Sequence, residues 1–345
     1  MRHPMFAAGA IALALGLALA LALSACQLPP SAEAVAKAAR VRQAQVVFAA
    51  GQQAWRDERK AELTLPDGWS SLVGLHWLDP GAHYLGSDTD NGIRLAMGPA
   101  HLGMLELKSG GLRFVPEKGV ALTVDGVPLA GGAILRADDD PAGPSKLAFD
   151  DGKGVATVIK RGERYALRVK HADAPSRTGF KGIAYWPAAA GWRLSGRFMP
   201  HPPGRTLAIA NIIGTTDEVP NPGAIEFERD GKTYWLQALD EGDGGLFLVF
   251  ADRTSGHGSY GAGRFLDAPK PNARGRVTLD FNRAYNPPCA FTPFATCPLP
   301  PAENRLDLVI DAGEKSYHLG TSETRAPRSK TPIPVAPTAA ASTKG

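Results

Sequence analysis

The eight residues RDGKTYWL, 229 to 236, decide how the body of this chain folds. Asp230-Gly231 suits a two-residue hairpin, because both central residues of such a turn take positive φ. Thr233-Tyr234-Trp235-Leu236 then reads as a strand, and the pattern recurs outward in both directions. Met104-Leu105-Glu106-Leu107 and Tyr165-Ala166-Leu167-Arg168-Val169 alternate in the same way, and Asp125-Gly126 marks a second hairpin. No run of three helical turns stands out between Trp69 and Asn304. With 39 glycines and 29 prolines, the expected fold is mainly β: two small sandwich-like or barrel-like lobes preceded by an N-terminal helix.

That helix is expected from Ser31 to about Leu63, where Val35, Ala39, Val46, Val47, Ala50 and Ala54 keep a roughly helical register, with a break near Gly51. The expected division is 1–25 signal peptide, 26–63 tether and helix, 64–142 first β lobe, 143–320 second β lobe, and 321–345 basic tail. The lobe boundary falls at Pro141-Ala142-Gly143-Pro144, with 172–179 as the alternative. In the first lobe, HYLGSDTDNGIRL (83–95) is weakly similar to a loop of the forkhead-associated sandwich. Ser87 stands where that family carries an anion-binding arginine, so the first lobe is read as architectural.

Met5 to Leu23 is a nearly unbroken Ala/Leu/Ile/Gly run behind Arg2 and His3, and it ends at Leu23-Ser24-Ala25-Cys26. This is a signal peptide with a lipobox, in which the Cys26 thiol takes up diacylglycerol. The expected partner is therefore a membrane, reached through the lipid on Cys26. Gln27 is not the Asp that retains such proteins in the inner membrane. The expected location is the outer membrane facing the periplasm, or the cell envelope if the host is not Gram-negative.

Charge limits the other partners. The formal balance of 38 basic and 34 acidic residues is carried by the ends of the chain. Arg2 lies in the signal, and Arg325, Arg328, Lys330 and Lys344 lie in a tail with no acid after Glu323. Without those five, 33 basic residues face 34 acidic ones, and no Lys/Arg stripe marks a nucleic-acid footprint.

FADRTSGHGSYGAGRFL, 250 to 266, holds a GxGxxG at Gly256, Gly258 and Gly261, but Pro269 and Pro271 leave no helix to bind a dinucleotide. Neither Ser255 nor Ser259 sits in a nucleophile elbow. Farther on, NRAYNPPCAFTPFATCPLPPAEN, 282 to 304, packs six prolines around Cys289 and Cys297. The spacing of those cysteines with His257 fits no zinc knuckle. In an oxidising compartment a disulfide is their simpler use, worth about 2.5 kcal/mol for so short a loop; free thiols or a metal remain the alternatives. No metal and no cofactor is expected.

The polar residues around this stiff loop form the expected site. Asp252 and Asp280 are the candidate general bases. Tyr260, Arg264, Asn282, Asn286, Glu303 and Asn304, with Tyr285 nearby, are the candidate ligand-binding groups, Arg264 holding an anionic group. The expectation is a small polar or anionic ligand that is bound, with hydrolysis as a further step; an envelope scaffold or interaction module is the alternative.

FADRTSG, YGAGRFL, LDFNRAYNPPCAFTPFATCPLPPAENRL and AGEK, together with WRDERKAEL and GWSSLVGLHWL, resemble the pattern of domain-of-unknown-function family 1684. The resemblance runs from Trp55 to Lys315. It implies bacterial or archaeal kinship and no activity, cofactor or catalytic residue.

Overall fold

A computed structural model describes residues 31–109, 111–242 and 244–317. The expected signal peptide with its lipidated Cys26, and the expected basic tail, lie outside the described residues. Helix α1 (Ala32–Leu63) is capped by Ser31, whose hydroxyl accepts the Ala34 N–H at 3.2 Å. It is continuous, without the break expected near Gly51. Gly51 is solvent-exposed with no atom within 4 Å of a built Cβ, and one exposed glycine weakens a helix without ending it when no proline follows. α1 meets the body through its C-terminal half. Gln52 Nε2 donates to Asp280 Oδ2 at 2.8 Å, Arg56 Nη2 to Trp186 O at 3.0 Å, and Leu63 is buried.

The first lobe is a sandwich of two open sheets. Its strands are β1 (Leu72–Leu78), β2 (Gly81–Gly86), β3 (Ile93–Arg94), β4 (Gly103–Lys108), β5 (Gly111–Pro116), β6 (Thr123–Val124), β7 (Val127–Pro128), β8 (Ala133–Leu135), β9 (Leu147–Phe149), β10 (Gly154–Arg161) and β11 (Arg164–His171). One sheet has the order β1-β11-β10-β9-β6-β7 and the other β3-β2-β4-β5-β8. Leu85, Leu105 and Phe114 from the second face Leu147, Val158, Leu167 and Val169 from the first across one core. Strands from both sides of Pro141-Pro144 share this core, which runs on to Ala174. The pairing of β10 and β11 with β1 and β9 continues this sheet to His171, and the short helix α2 (Pro175–Thr178) follows.

The second lobe holds β12 (Arg193–Pro200), β13 (Thr206–Ala210), β14 (Thr216–Pro220), β15 (Gly223–Arg229), β16 (Lys232–Ala238), β17 (Leu246–Phe250), β18 (Arg264–Ala268) and β19 (Arg276–Asp280). They form a sheet of order β16-β15-β12-β19 and two hairpins, β13-β14 and β17-β18. β15 and β16 close at Arg229↔Lys232 through Asp230 and Gly231 at φ 51° and 74°, the primed turn their residue types demand. β17 is buried at every position. Leu246, Leu248 and Phe250 enter the main core of the lobe, while Phe247 and Val249 enter a smaller one with Phe265, Ala295 and Cys297. This second core faces the first lobe.

Candidate functional site

The polar residues singled out in the sequence do not share one opening. Arg264 on β18 is fully buried. Its Nη2 donates to Asp252 Oδ1 at 3.1 Å and to Ile310 O at 2.9 Å, and its Nη1 to Ala312 O. The Asp252 carboxylate also accepts the N–H groups of Thr254 (3.1 Å) and Ile310 (2.8 Å). Burial lowers the Arg264 pKa against the favourable charge of Asp252. This is a dry ion pair that ties β18 to the 310–312 segment. The terminal nitrogens of the arginine expected to hold an anionic group meet a carboxylate and two backbone carbonyls, and its Nε is buried without a partner.

Two of the three asparagines are fully committed, and the third, Asn286, keeps a buried Oδ1 without a partner. Asn282 exchanges two bonds with the backbone of Ala189 (2.8 and 2.9 Å), Asn304 bonds the N–H and O of Gln237 and the O of Val249, and Asn286 donates to Lys315 O at 2.8 Å. Each closes a turn or joins two segments. Asp280 lies beneath α1, with Oδ2 accepting from Gln52 and Oδ1 from Asn282. Glu303 is exposed, and the Tyr260 hydroxyl donates to Cys289 O at 3.1 Å. The GxGxxG segment is a tight loop closed at Ser255↔Ser259. Gly258, at φ 124°, lets the Trp186 ring come within 2.8 Å of where a Cβ would stand.

Cys289 and Cys297 are free thiols, not the expected disulfide. Cys297 is held by the Ile212 N–H on its carbonyl (3.0 Å), and its Sγ accepts the Cys289 N–H at 3.1 Å. Their thiols share a hydrogen bond that lowers the Cys289 pKa and, with burial, raises that of Cys297. Among the described residues His257 does not join them as a third ligand.

The residues that do converge come from three parts of the chain. A cleft of about 410 Å³ opens between the lobes. The first lobe contributes Arg161 and Arg168 from β10 and β11, α1 contributes Arg59, and the proline-rich segment contributes Pro288, Thr296, Cys297 and Pro298. Trp69, Phe247, Phe265 and Tyr285 supply its aromatic wall, with Glu241 also at its edge. Phe265 stands edge-on to Phe247 (centroids 4.8 Å apart) and to Tyr285 (5.7 Å), so this wall is a rigid row.

The three arginines differ in what neutralises them. Arg59 pairs with Glu314 at 3.1 Å, donates to Asn286 O at 2.9 Å, and lies 4.5 Å over the Tyr285 ring. Arg161 pairs with Asp138 at 2.8 Å. Arg168 has no carboxylate within ion-pair reach among the described residues. Its Nε is buried without a partner, its Nη2 reaches only Thr296 Oγ1 at 3.5 Å, and its guanidinium lies 5.5 Å from the Trp69 ring. Burial lowers its pKa and the neighbouring charge of Arg161 lowers it further, while the Asp138 carboxylate, shared with Arg161, opposes the shift. Thr296 Oγ1 also accepts from Arg161 Nε at 3.3 Å. A hydroxyl that accepts from two guanidinium groups turns its own proton toward another acceptor. Chemically, this end of the cleft is a set of donors arranged for an oxyanion.

A wider groove of about 610 Å³ runs between α1 and the second lobe, past Arg40, Arg193 and Arg283. Those arginines are exposed, so water already solvates them and an anion would gain little there.

Sequence reasoning missed the cleft because it dismissed the first lobe. Arg168 lay in one of the strands quoted as alternating, on the face opposite core residues Leu167 and Val169. Which element covers that face is not written in the strand itself.

The family model described as "Protein of unknown function (DUF1684)" matches residues 178–315. The solution NMR structure of an uncharacterized protein from Haloarcula marismortui is similar at 28% identity, covering 40% of this chain and 78% of that one, with a TM-score of 0.34. No curated protein matches the chain. The matched segment contributes the proline-rich wall of the cleft and the Phe247, Phe265 and Tyr285 rings; Arg59, Trp69, Arg161 and Arg168 precede it.

Proposed function

We propose that this protein binds a small oxyanion in the cleft between its lobes. The observation that carries the reading is Arg168, a half-buried guanidinium with a buried, unpartnered Nε, whose neighbouring carboxylate, Asp138, is already paired with Arg161. Two arginines sharing one carboxylate leave positive charge in excess, and a bound carboxylate or phosphate supplies the missing counter-charge while taking up the free donor. Arg161 and the Thr296 hydroxyl complete the donor set. Binding rather than hydrolysis is favoured, because the two expected general bases lie elsewhere: Asp252 inside the second lobe and Asp280 beneath α1. At matched ionic strength, phenyl phosphate and benzoate should raise the melting temperature of the full-length chain. Arg168→Gln should weaken binding at least about tenfold while leaving the unliganded melting temperature equal or higher. Equal binding by the variant would remove the proposal.

The lipobox supports a second part of the reading, that the chain is presented at the cell envelope by lipid on Cys26. Cys26→Ser should release the protein from the membrane fraction and abolish labelling by a fatty-acid probe. Persistent labelling would refute the anchor.

A further inference from the structure

The apolar lining of the cleft is unusual in composition. It comprises four aromatic rings and two prolines, and includes no Leu, Ile, Val or Met. Aliphatic side chains present knobs that fit an irregular or branched ligand, whereas rings present flat faces and polarised edges. The donors stand beside these rings: the Arg168 guanidinium lies 5.5 Å from the Trp69 ring, and the Arg59 guanidinium 4.5 Å from that of Tyr285. An anionic group at Arg168 therefore leaves no length for a flexible linker before the ligand meets an aromatic face.

The volume sets the size. About 410 Å³ lies toward the small end of ligand pockets, which run from roughly 300 to 1,000 Å³. One ring system with one anionic group fits; a dinucleotide does not.

Resting on the oxyanion reading above, we infer that the ligand is an aryl oxyanion: a flat aromatic ring carrying a directly attached carboxylate or phosphate, its charge on Arg168, Arg161 and Thr296 and its ring against Trp69 and the Phe265–Tyr285 row. The ring provides selectivity among anions, and the arginines set the orientation.

The test compares matched pairs on the full-length chain by calorimetric titration. Phenyl phosphate is set against cyclohexyl phosphate, benzoate against cyclohexanecarboxylate, and phenol serves as the neutral ring. In each pair the aryl anion should bind about tenfold tighter than its saturated partner, and phenol at least about tenfold more weakly than either aryl anion. The stronger pair identifies whether phosphate or carboxylate is the natural group. In Trp69→Leu the aryl preference should shrink toward parity while the saturated anions keep their affinity. If that variant fails to fold, the comparison on the wild-type chain decides alone. Equal binding of aryl and saturated anions overturns the aryl inference and leaves the oxyanion reading standing. Phenol binding as tightly as phenyl phosphate overturns the oxyanion reading, and no binding by any probe overturns both.

Discussion

Arg264 is fully buried and Arg168 half-buried, and their surroundings give them opposite roles. Around Arg264 the Asp252 carboxylate and the carbonyls of Ile310 and Ala312 take up both terminal nitrogens, and only its buried Nε is without a partner. Removing it strands a buried carboxylate, so Arg264→Ala should cost about 3 to 5 kcal/mol in a urea melt, with much of the loss recovered in the Arg264→Ala/Asp252→Ala double variant. A loss below about 1 kcal/mol would mean that the pair is hydrated. Glu314 offers a second test at this scale. It is fully buried, and desolvation raises its pKa above 4.5 even though Arg59 opposes the shift. A carboxyl group raised in the native state binds more protons there than in the unfolded chain between its two pKa values. Its contribution therefore falls as pH rises from 4.5 toward the native pKa, the reverse of a carboxylate stabilised by a pair. Glu314→Gln should flatten the stability–pH curve over that interval relative to wild type; parallel curves would show that Arg59 fully offsets the burial.

At the scale of elements, α1 and β17 show what sequence patterns carry. The hairpins at Asp125-Gly126 and Asp230-Gly231 were legible because positive φ at both central residues narrows the choice of residue type, and the structure places all four residues there. The continuity of α1 was not legible, since a lone exposed glycine weakens a helix by an amount that register and packing override. Gly51→Ala should accordingly stabilise the protein by about 0.5 to 1 kcal/mol, as nothing lies within reach of the new methyl group. Destabilisation would reveal a bend or contact at that position. β17 reads as an apolar run in the sequence. Only tertiary structure reveals that its alternate residues serve two different cores, one of which carries Phe247 to the cleft. Gly258→Ala, by contrast, meets both the Trp186 ring and a φ of 124°, and should lower the melting temperature by several degrees. An unchanged value would show that the loop relaxes freely.

For the whole molecule, the site is a product of assembly. Arg59 comes from the helix, Arg161 and Arg168 from the first lobe, and Thr296 from the second; of these groups only Arg161 and Arg168, on the paired strands β10 and β11, are near in sequence. The sequence pointed to Arg264, Asn286 and their neighbours, because polar residues near stiff loops mark both turns and ligand sites, and only the partners each finds in the fold separate the two. The proline-rich segment was legible as rigid. What it walls, and that its cysteines remain thiols, depended on where it lands against β13 and the first lobe. The central claim is that the Arg168 guanidinium is the point at which a ligand's charge docks. It is tested most directly by following arginine side-chain Nε–H resonances of the full-length chain during titration with phenyl phosphate, the Arg168 signal being assigned through Arg168→Lys. The Arg168 signal should shift and saturate first, followed by that of Arg161, while those of the exposed Arg193 and Arg283 stay in place; a stationary Arg168 signal beside moving surface arginines would contradict the account.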